Sequence, residues 1–181
     1  MGANLRSKDY GAPQETLEAA LGIMTAKGLC VTARSRWYRS EPVPLVDADG
    51  LPNPWYVNGV IAVETSLDPR SLLHVLGEIE RDMGRVRGRR WESRIVDLDL
   101  LAYRDRIIGT HWLAAGAIES TKTEADIEIT VPHPHLHERS FVLLPLREIA
   151  PNWVHPATGD PIDRLIASLK AASAATPIEP E

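Results

Sequence analysis

Two aspartates, Asp97 and Asp99, stand one residue apart in the otherwise apolar run Ile95-Val96-Asp97-Leu98-Asp99-Leu100-Leu101. Side chains alternate faces along a β-strand, so a strand here puts both carboxylates on one side, roughly 6.5–7 Å apart along the backbone. Two such groups repel each other and are costly to desolvate. A hard divalent cation offsets that cost, and ligation by oxygen alone selects magnesium over zinc. Taken by themselves, the two acids also fit a solvated sheet face with no ligand.

Between positions 81 and 94 sit six arginines, Arg81, Arg85, Arg87, Arg89, Arg90 and Arg94, with Gly88 and Trp91 among them. A cationic stretch that dense on an acidic protein points to a local anionic ligand. Carboxylates for a metal beside guanidinium forks for oxyanions are what phosphoryl transfer requires. That reaction needs positioning and charge neutralisation more than a nucleophilic side chain. A flexible basic loop paired with surface acids is the alternative. Neither GxxxxGK nor GxGxxG occurs in the chain, which leaves no P-loop and no Rossmann-type site.

A third cluster is Val131-Pro132-His133-Pro134-His135-Leu136-His137-Glu138-Arg139. Three histidines at alternate positions invite a zinc site, but the prolines disrupt strand geometry and no cysteine or spaced carboxylate completes a tetrahedron. One phosphate-contacting histidine among loop neighbours fits better. Tyr56 and Asn58 alternate with Val57 and Gly59, so they share a face. An aromatic ring beside a carboxamide can stack on a flat heterocycle and read its polar edge, although aromatics at strand ends are usually core.

The elements that must position these groups follow from the remaining pattern. At 181 residues, 44% apolar and 25% charged, the chain fits one soluble domain, expected over 1–172 with a disordered tail at 173–181. A net charge of -5 argues against a general nucleic-acid binder. No run approaches the roughly 20 apolar residues of a membrane span, and the start lacks the order of a signal peptide. The single Cys30 excludes an internal disulfide, so a cytoplasmic setting is expected.

Residues 13–27 read as a helix, with Leu17, Leu21 and Met24 on one stripe and Gly28 closing it. Residues 29–40 and 56–64 read as strands, separated by the proline-bearing loop 41–54. Asp68 as N-cap, Pro69 in the first turn and Gly84 past the end bracket a second helix. A strand at 95–103 follows, with a turn at Arg104-Asp105 and a hairpin partner at 106–108. Residues 113–128 read as a polar insertion, and two short helices are expected around 141–149 and 163–172. Helix, strand, strand, helix, strand is five-sixths of a β-α-β-β-α-β unit. The opening strand is missing, and Met1-Gly2-Ala3-Asn4 reads as the turn after it, so the true start is expected upstream.

These clusters together resemble the 6-hydroxymethyl-7,8-dihydropterin pyrophosphokinase family. The matching text is GANL at 2–5, RWYRSEP at 36–42, PWYVNGVIAVET at 54–65, GRVRGRRWESRIVDLDLL at 84–101 and VPHPHLHERSFVLLPLREIAP at 131–151. The resemblance implies an α+β, ferredoxin-like antiparallel sheet with helices packed on both faces. It implies transfer of pyrophosphate from ATP to a hydroxymethyl pterin in folate biosynthesis, with two Mg2+ ions carried with ATP. By that likeness Asp97 and Asp99 hold the metal. Arg85, Arg94, His133 and Arg139 contact the triphosphate, Arg87 and Trp91 lie on a mobile catalytic loop, and Glu80 lies near the nucleotide. The pterin stacks between Tyr56 and Phe141, Asn58 reads its edge, and Ser40, Glu41 and Val43 border the pocket. The partners expected are these small molecules, with no nucleic acid and no membrane, and the protein is expected to be a monomer.

Departures from the family text are Ser40-Glu41-Pro42 where Thr-Pro-Pro is usual, and the longer insertion at 113–128. Two other readings remain at this point. One is an inactive homologue lacking its first strand. The other is a ferredoxin-like RNA-binding module, against which stand the acidic charge and the lack of an RNP-type aromatic strand.

Overall fold

Two helices open at prolines, where a missing N–H costs nothing. The computed structural model describes residues 1–46, 49–85, 94–109, 112, 129–169 and 175–178. Helix α1 spans Pro13–Ala26 and α2 spans Pro69–Asp82. The N-cap of α2 forms as expected: Oδ1 of Asp68 accepts the N–H groups of Arg70 at 2.9 Å and Ser71 at 3.2 Å. Its stripe of Leu72, Leu76, Ile79 and Met83 is buried against Leu17, Ala20 and Met24 of α1. Burial of each large apolar side chain contributes about 1.5–3 kcal/mol.

The strands are β1 (Gly2–Ala3), β2 (Cys30–Arg34), β3 (Tyr38–Ser40), β4 (Tyr56–Asn58), β5 (Ile61–Glu64) and β6 (Ala175–Pro177), all paired antiparallel. Four of them form one sheet in the order β1-β4-β3-β6, and β2 pairs with β5. An isolated bridge from Gly2 to Asp97 puts the segment around Asp97 on the far side of β1. With β4 between β1 and β3, this is the split arrangement expected of an α+β, ferredoxin-like sheet.

Five expectations are corrected. The two strands expected at 29–40 and 56–64 are each broken in the middle. The Trp37 ring lies so close to Gly59 that an added Cβ would be 2.6 Å from it, while the Ser35 hydroxyl accepts the N–H of Val60 at 3.0 Å. A ring crossing the hairpin and a hydroxyl capturing a ladder donor interrupt the pairing. The opening strand, expected to be missing, is found at Gly2 and Ala3, which form β1 rather than a turn.

The strand expected at 95–103 is bridged only at Asp97, because its neighbours do not run alongside it. The Leu98 N–H goes to Glu80 and the Leu101 carbonyl accepts from His133. A cleft of about 650 Å³ separates residues 98–105 from β5. Ile108 turns away from that segment and exchanges both backbone bonds with Val131, at 2.8 and 3.0 Å. Finally, the expected disordered tail contains β6, which pairs with β3 from Tyr38↔Pro177 to Ser40↔Ala175.

Helices α3 (Ser140–Ile149) and α4 (Ile162–Ala167) form a second core through Leu143, Leu146, Ile162 and Leu165, with Val60 from the sheet side. Glu148 pins α3 to β3 by accepting from Arg36 N at 2.8 Å, Arg36 Nε at 2.9 Å and the Tyr38 hydroxyl at 2.6 Å. No helix among the described residues is long and apolar enough to cross a membrane.

Candidate active site

Gly84, at φ 89°, turns the chain out of α2 in a conformation that favours glycine. The turn delivers Arg85 to the acids. Its amide donates to the Glu80 carbonyl at 2.9 Å. Nη1 pairs with the Glu80 carboxylate and, at 2.8 Å, with Oδ1 of Asp97. From the other side Nη1 of Arg94 lies 2.5 Å from Oδ2 of Asp97. Each oxygen of one carboxylate, only 22% exposed, therefore holds a guanidinium.

The alternation expected of the acids holds although the ladder does not. Val96 and Leu98 are buried, Asp97 is half-buried and Asp99 is exposed, which puts the acids on the side away from the core. Glu80 fixes the backbone between them by accepting the Leu98 N–H at 2.7 Å. Burial pushes the Glu80 carboxyl above its usual value, against the opposing pull of that N–H and of Arg85. Burial also works against the charge on Arg94, yet the ion pair with Asp97 and the field of Asp99 hold it above the ordinary arginine value.

His133 is tied to this segment by its backbone N–H, which donates to the Leu101 carbonyl at 2.8 Å. Its Nδ1 accepts the His135 N–H at 3.2 Å, so the neutral ring carries its proton on Nε2. Burial lowers its pKa, with Asp99 opposing the shift and Arg139 reinforcing it. The other histidines of the cluster diverge. His135 pairs with Glu138 at 3.1 Å, and His137 packs against Trp112 and His155. Among the described residues no three histidine, cysteine or carboxylate side chains converge on one point.

On the strand side, Asn58 Nδ2 donates to the Ser40 hydroxyl at 2.9 Å, both side chains being buried. Ser40 stands opposite Tyr56 in the β3–β4 register, so Ser40, Tyr56 and Asn58 share a face. Burial raises the Tyr56 pKa, with Arg94 pulling it down and Asp97 raising it. Gly2 of β1 lies between the two sides, paired with Asn58 on one flank and bridged to Asp97 on the other. Glu41 is exposed and Val43 is 78% exposed, both just beyond β3. Phe141 lies at the start of α3 with the Arg139 guanidinium 5.7 Å from its ring centroid. Arg87, Arg89, Arg90 and Trp91 lie outside the described residues.

Asn4 is the residue that patterns of spacing do not reveal. Its Oδ1 accepts the Arg94 N–H at 2.8 Å, and its Nδ2 donates to the Pro54 carbonyl at 3.3 Å. Its place in GANL was the only signal.

Oxygen donors gripped by guanidinium groups at the edge of an α+β sheet make a site suited to polyphosphate chemistry. A sequence model described as 7,8-dihydro-6-hydroxymethylpterin-pyrophosphokinase matches residues 1–151. The chain belongs to that family. It is 36% identical over 173 residues to a 2-amino-4-hydroxy-6-hydroxymethyldihydropteridine pyrophosphokinase of Synechocystis sp., covering 95% of this chain and 77% of the relative. The Haemophilus influenzae protein of the same name is 37% identical over 157 residues, 86% of this chain and 82% of its own. A mitochondrial folate synthesis bifunctional protein of Arabidopsis thaliana is 35% identical over 141 residues, 78% of this chain and 22% of the relative.

Proposed function

We propose that this pyrophosphokinase transfers pyrophosphate from ATP to the hydroxymethyl group of 6-hydroxymethyl-7,8-dihydropterin and releases AMP, within folate biosynthesis. The observation that carries the reading is the double grip of Arg85 and Arg94 on Asp97, beside the exposed Asp99. The hydroxymethyl oxygen attacks the β-phosphorus in line, the bond from that phosphorus to the α–β bridging oxygen breaks, and the hydroxyl proton leaves to solvent.

The residues fit magnesium. Two carboxylates on one side, with no third histidine, cysteine or carboxylate joining them among the described residues, suit an ion that takes one or two carboxylates and completes its shell with phosphates and water. Asp97 and Asp99 would hold two such ions with ATP, whose contribution when bound is to neutralise phosphate charge. Arg85 and Arg94, which pair with Asp97 in the free protein, would contact the triphosphate. His133, neutral with its proton on Nε2, donates to a phosphate oxygen, and Arg139 adds a fork beside it. Each such donor is worth about 2–4 kcal/mol where charge grows in the transition state.

Glu80 holds Arg85 and the Asp97–Asp99 backbone at the nucleotide side. Arg87 and Trp91 act from the loop 84–94, which closes with the loop 41–54 to exclude water. The pterin stacks between Tyr56 and Phe141, with Asn58 at its edge and Ser40, Glu41 and Val43 along the rim. The protein acts in the cytoplasm as a monomer and as one domain, on small molecules rather than nucleic acid.

The test is to mix the protein with ATP, magnesium and the reduced hydroxymethyl pterin and to resolve the nucleotides by chromatography. AMP formed in proportion to pyrophosphorylated pterin is expected. ADP as the product, or no pterin-dependent consumption of ATP, overturns the reading.

A further inference from the structure

Asn4 follows β1 directly and is 4% exposed. It meets Arg94 at both polar groups of one residue's backbone. Its Oδ1 accepts the Arg94 N–H at 2.8 Å, while the N–H groups of Asn4 and Leu5 donate to the Arg94 carbonyl at 3.1 and 3.3 Å. The other arm of the same carboxamide donates to the carbonyl of Pro54 at 3.3 Å. Pro54 ends the loop 41–54, and Arg94 ends the arginine-rich stretch and pairs with Asp97. An asparagine is suited to this junction because a carboxamide offers one acceptor and one donor at a fixed spacing. A buried carbonyl or amide deprived of its partner loses far more than a solvated one.

We infer that Asn4 is a positioning residue that locks Arg94 and the end of the 41–54 loop into one unit, so that the guanidinium serving the triphosphate and the loop bordering the pterin are set together. The inference rests on the pyrophosphokinase reading of Arg94. A residue acting through Arg94 must lose most of its effect when the Arg94 side chain is gone, whereas a merely structural residue keeps it.

The experiment is a double-mutant cycle of Asn4→Ala and Arg94→Ala. It is read by calorimetric titration with the magnesium complex of an ATP analogue bearing a methylene between the α- and β-phosphorus. Asn4→Ala alone is expected to weaken binding about tenfold, the size of one well-placed hydrogen bond to a charged site. In the Arg94→Ala background its further effect is expected to be under about twofold. Equal penalties in both backgrounds overturn the inference. If Asn4→Ala loses its far-UV circular dichroism, Asn4→Asp takes its place. That variant is isosteric and keeps the acceptor for Arg94 but lacks the donor to Pro54. It is expected to raise KM for the pterin severalfold with a smaller change in kcat, and an unchanged KM overturns the coupling. A wild-type protein that neither binds the analogue nor releases AMP overturns the pyrophosphokinase reading itself, a result distinct from additive penalties in an active protein.

Discussion

Nη1 of Arg94 sits 2.5 Å from Oδ2 of Asp97, three residues further along the chain. Because Arg85 takes the other oxygen of the same carboxylate, the charge of Asp97 is met from both sides. On the proposed function, a polyphosphate and its counter-ions would compete with Asp97 for these arginines. The pairing also keeps a half-buried carboxylate from carrying an uncompensated charge in the free protein.

Replacing either acid should abolish turnover, but the two should differ in stability. Asp97→Asn and Asp99→Asn are each expected to lower the rate of AMP release by at least about 10³-fold, since both remove ligation and charge. Asp99 is exposed, so its replacement should shift unfolding by no more than about 0.5 kcal/mol. Asp97→Asn takes the paired carboxylate from Arg94 and leaves Arg85 with Glu80 alone, and should cost about 1–3 kcal/mol. Near-normal turnover in both variants, measured beside thermal unfolding, would refute the assignment of the metal.

Arg94→Ala should act on kcat. The charge it opposes grows as the phosphoryl group transfers, so a fall of about 10²–10³-fold in kcat is expected with KM for the pterin little changed. Steady-state kinetics with pterin as the varied substrate decide it. A change confined to KM would place Arg94 in ground-state binding alone.

Acid should destabilise the protein through His155. This ring is fully buried, packs against Trp112, Trp153 and His137, and accepts the N–H groups of Ala157 at 3.2 Å and Thr158 at 3.3 Å on Nδ1. Burial and then His137 lower its pKa below the ordinary histidine value of 6.5, with Asp160 opposing. Above that value both folded and unfolded chains carry a neutral ring. As pH falls below it the unfolded chain takes a proton that the folded chain refuses, so stability drops until the folded pKa is passed. Urea unfolding at pH 7.5 and 5.5 should show this loss, and His155→Asn, whose carboxamide oxygen can replace Nδ1, should show less of it. An equal loss in both proteins would clear His155 of the effect.

Gly59→Ala should damage the sheet. The new methyl would lie 2.6 Å from the Trp37 ring, closer than any relaxed contact, and Trp37 is itself buried. Overpacking of this kind costs about 1–3 kcal/mol. Restoring room with Trp37→Leu in the same chain should recover part of it, and additive losses in the double variant would show that the ring is not the obstacle.

Much of this architecture is written locally. Asp68, Pro69 and Gly84 bracket α2 because capping chemistry is a matter of a few neighbouring residues. The pairing of Asp97 with Asp99 survives without a regular strand because extended backbone alone alternates its side chains. The break at Trp37 and Gly59 is not legible, since it depends on a ring from one strand crossing another. Strand β6 escapes notice because three residues, Ala175–Pro177, carry too little pattern and find their partner far back in the chain. The contacts of Asn4 lie 50 and 90 residues away, beyond any spacing rule.

Strand β6 has one more consequence. It covers the flank of β3 that β4 leaves open, so the backbone of β3 is paired on both sides. Among the described residues the rim that remains belongs to a strand of three residues ending in Pro177, which has no N–H to offer. A neighbouring molecule approaching β6 would meet a short, donor-poor border, the kind of edge that disfavours strand-to-strand association.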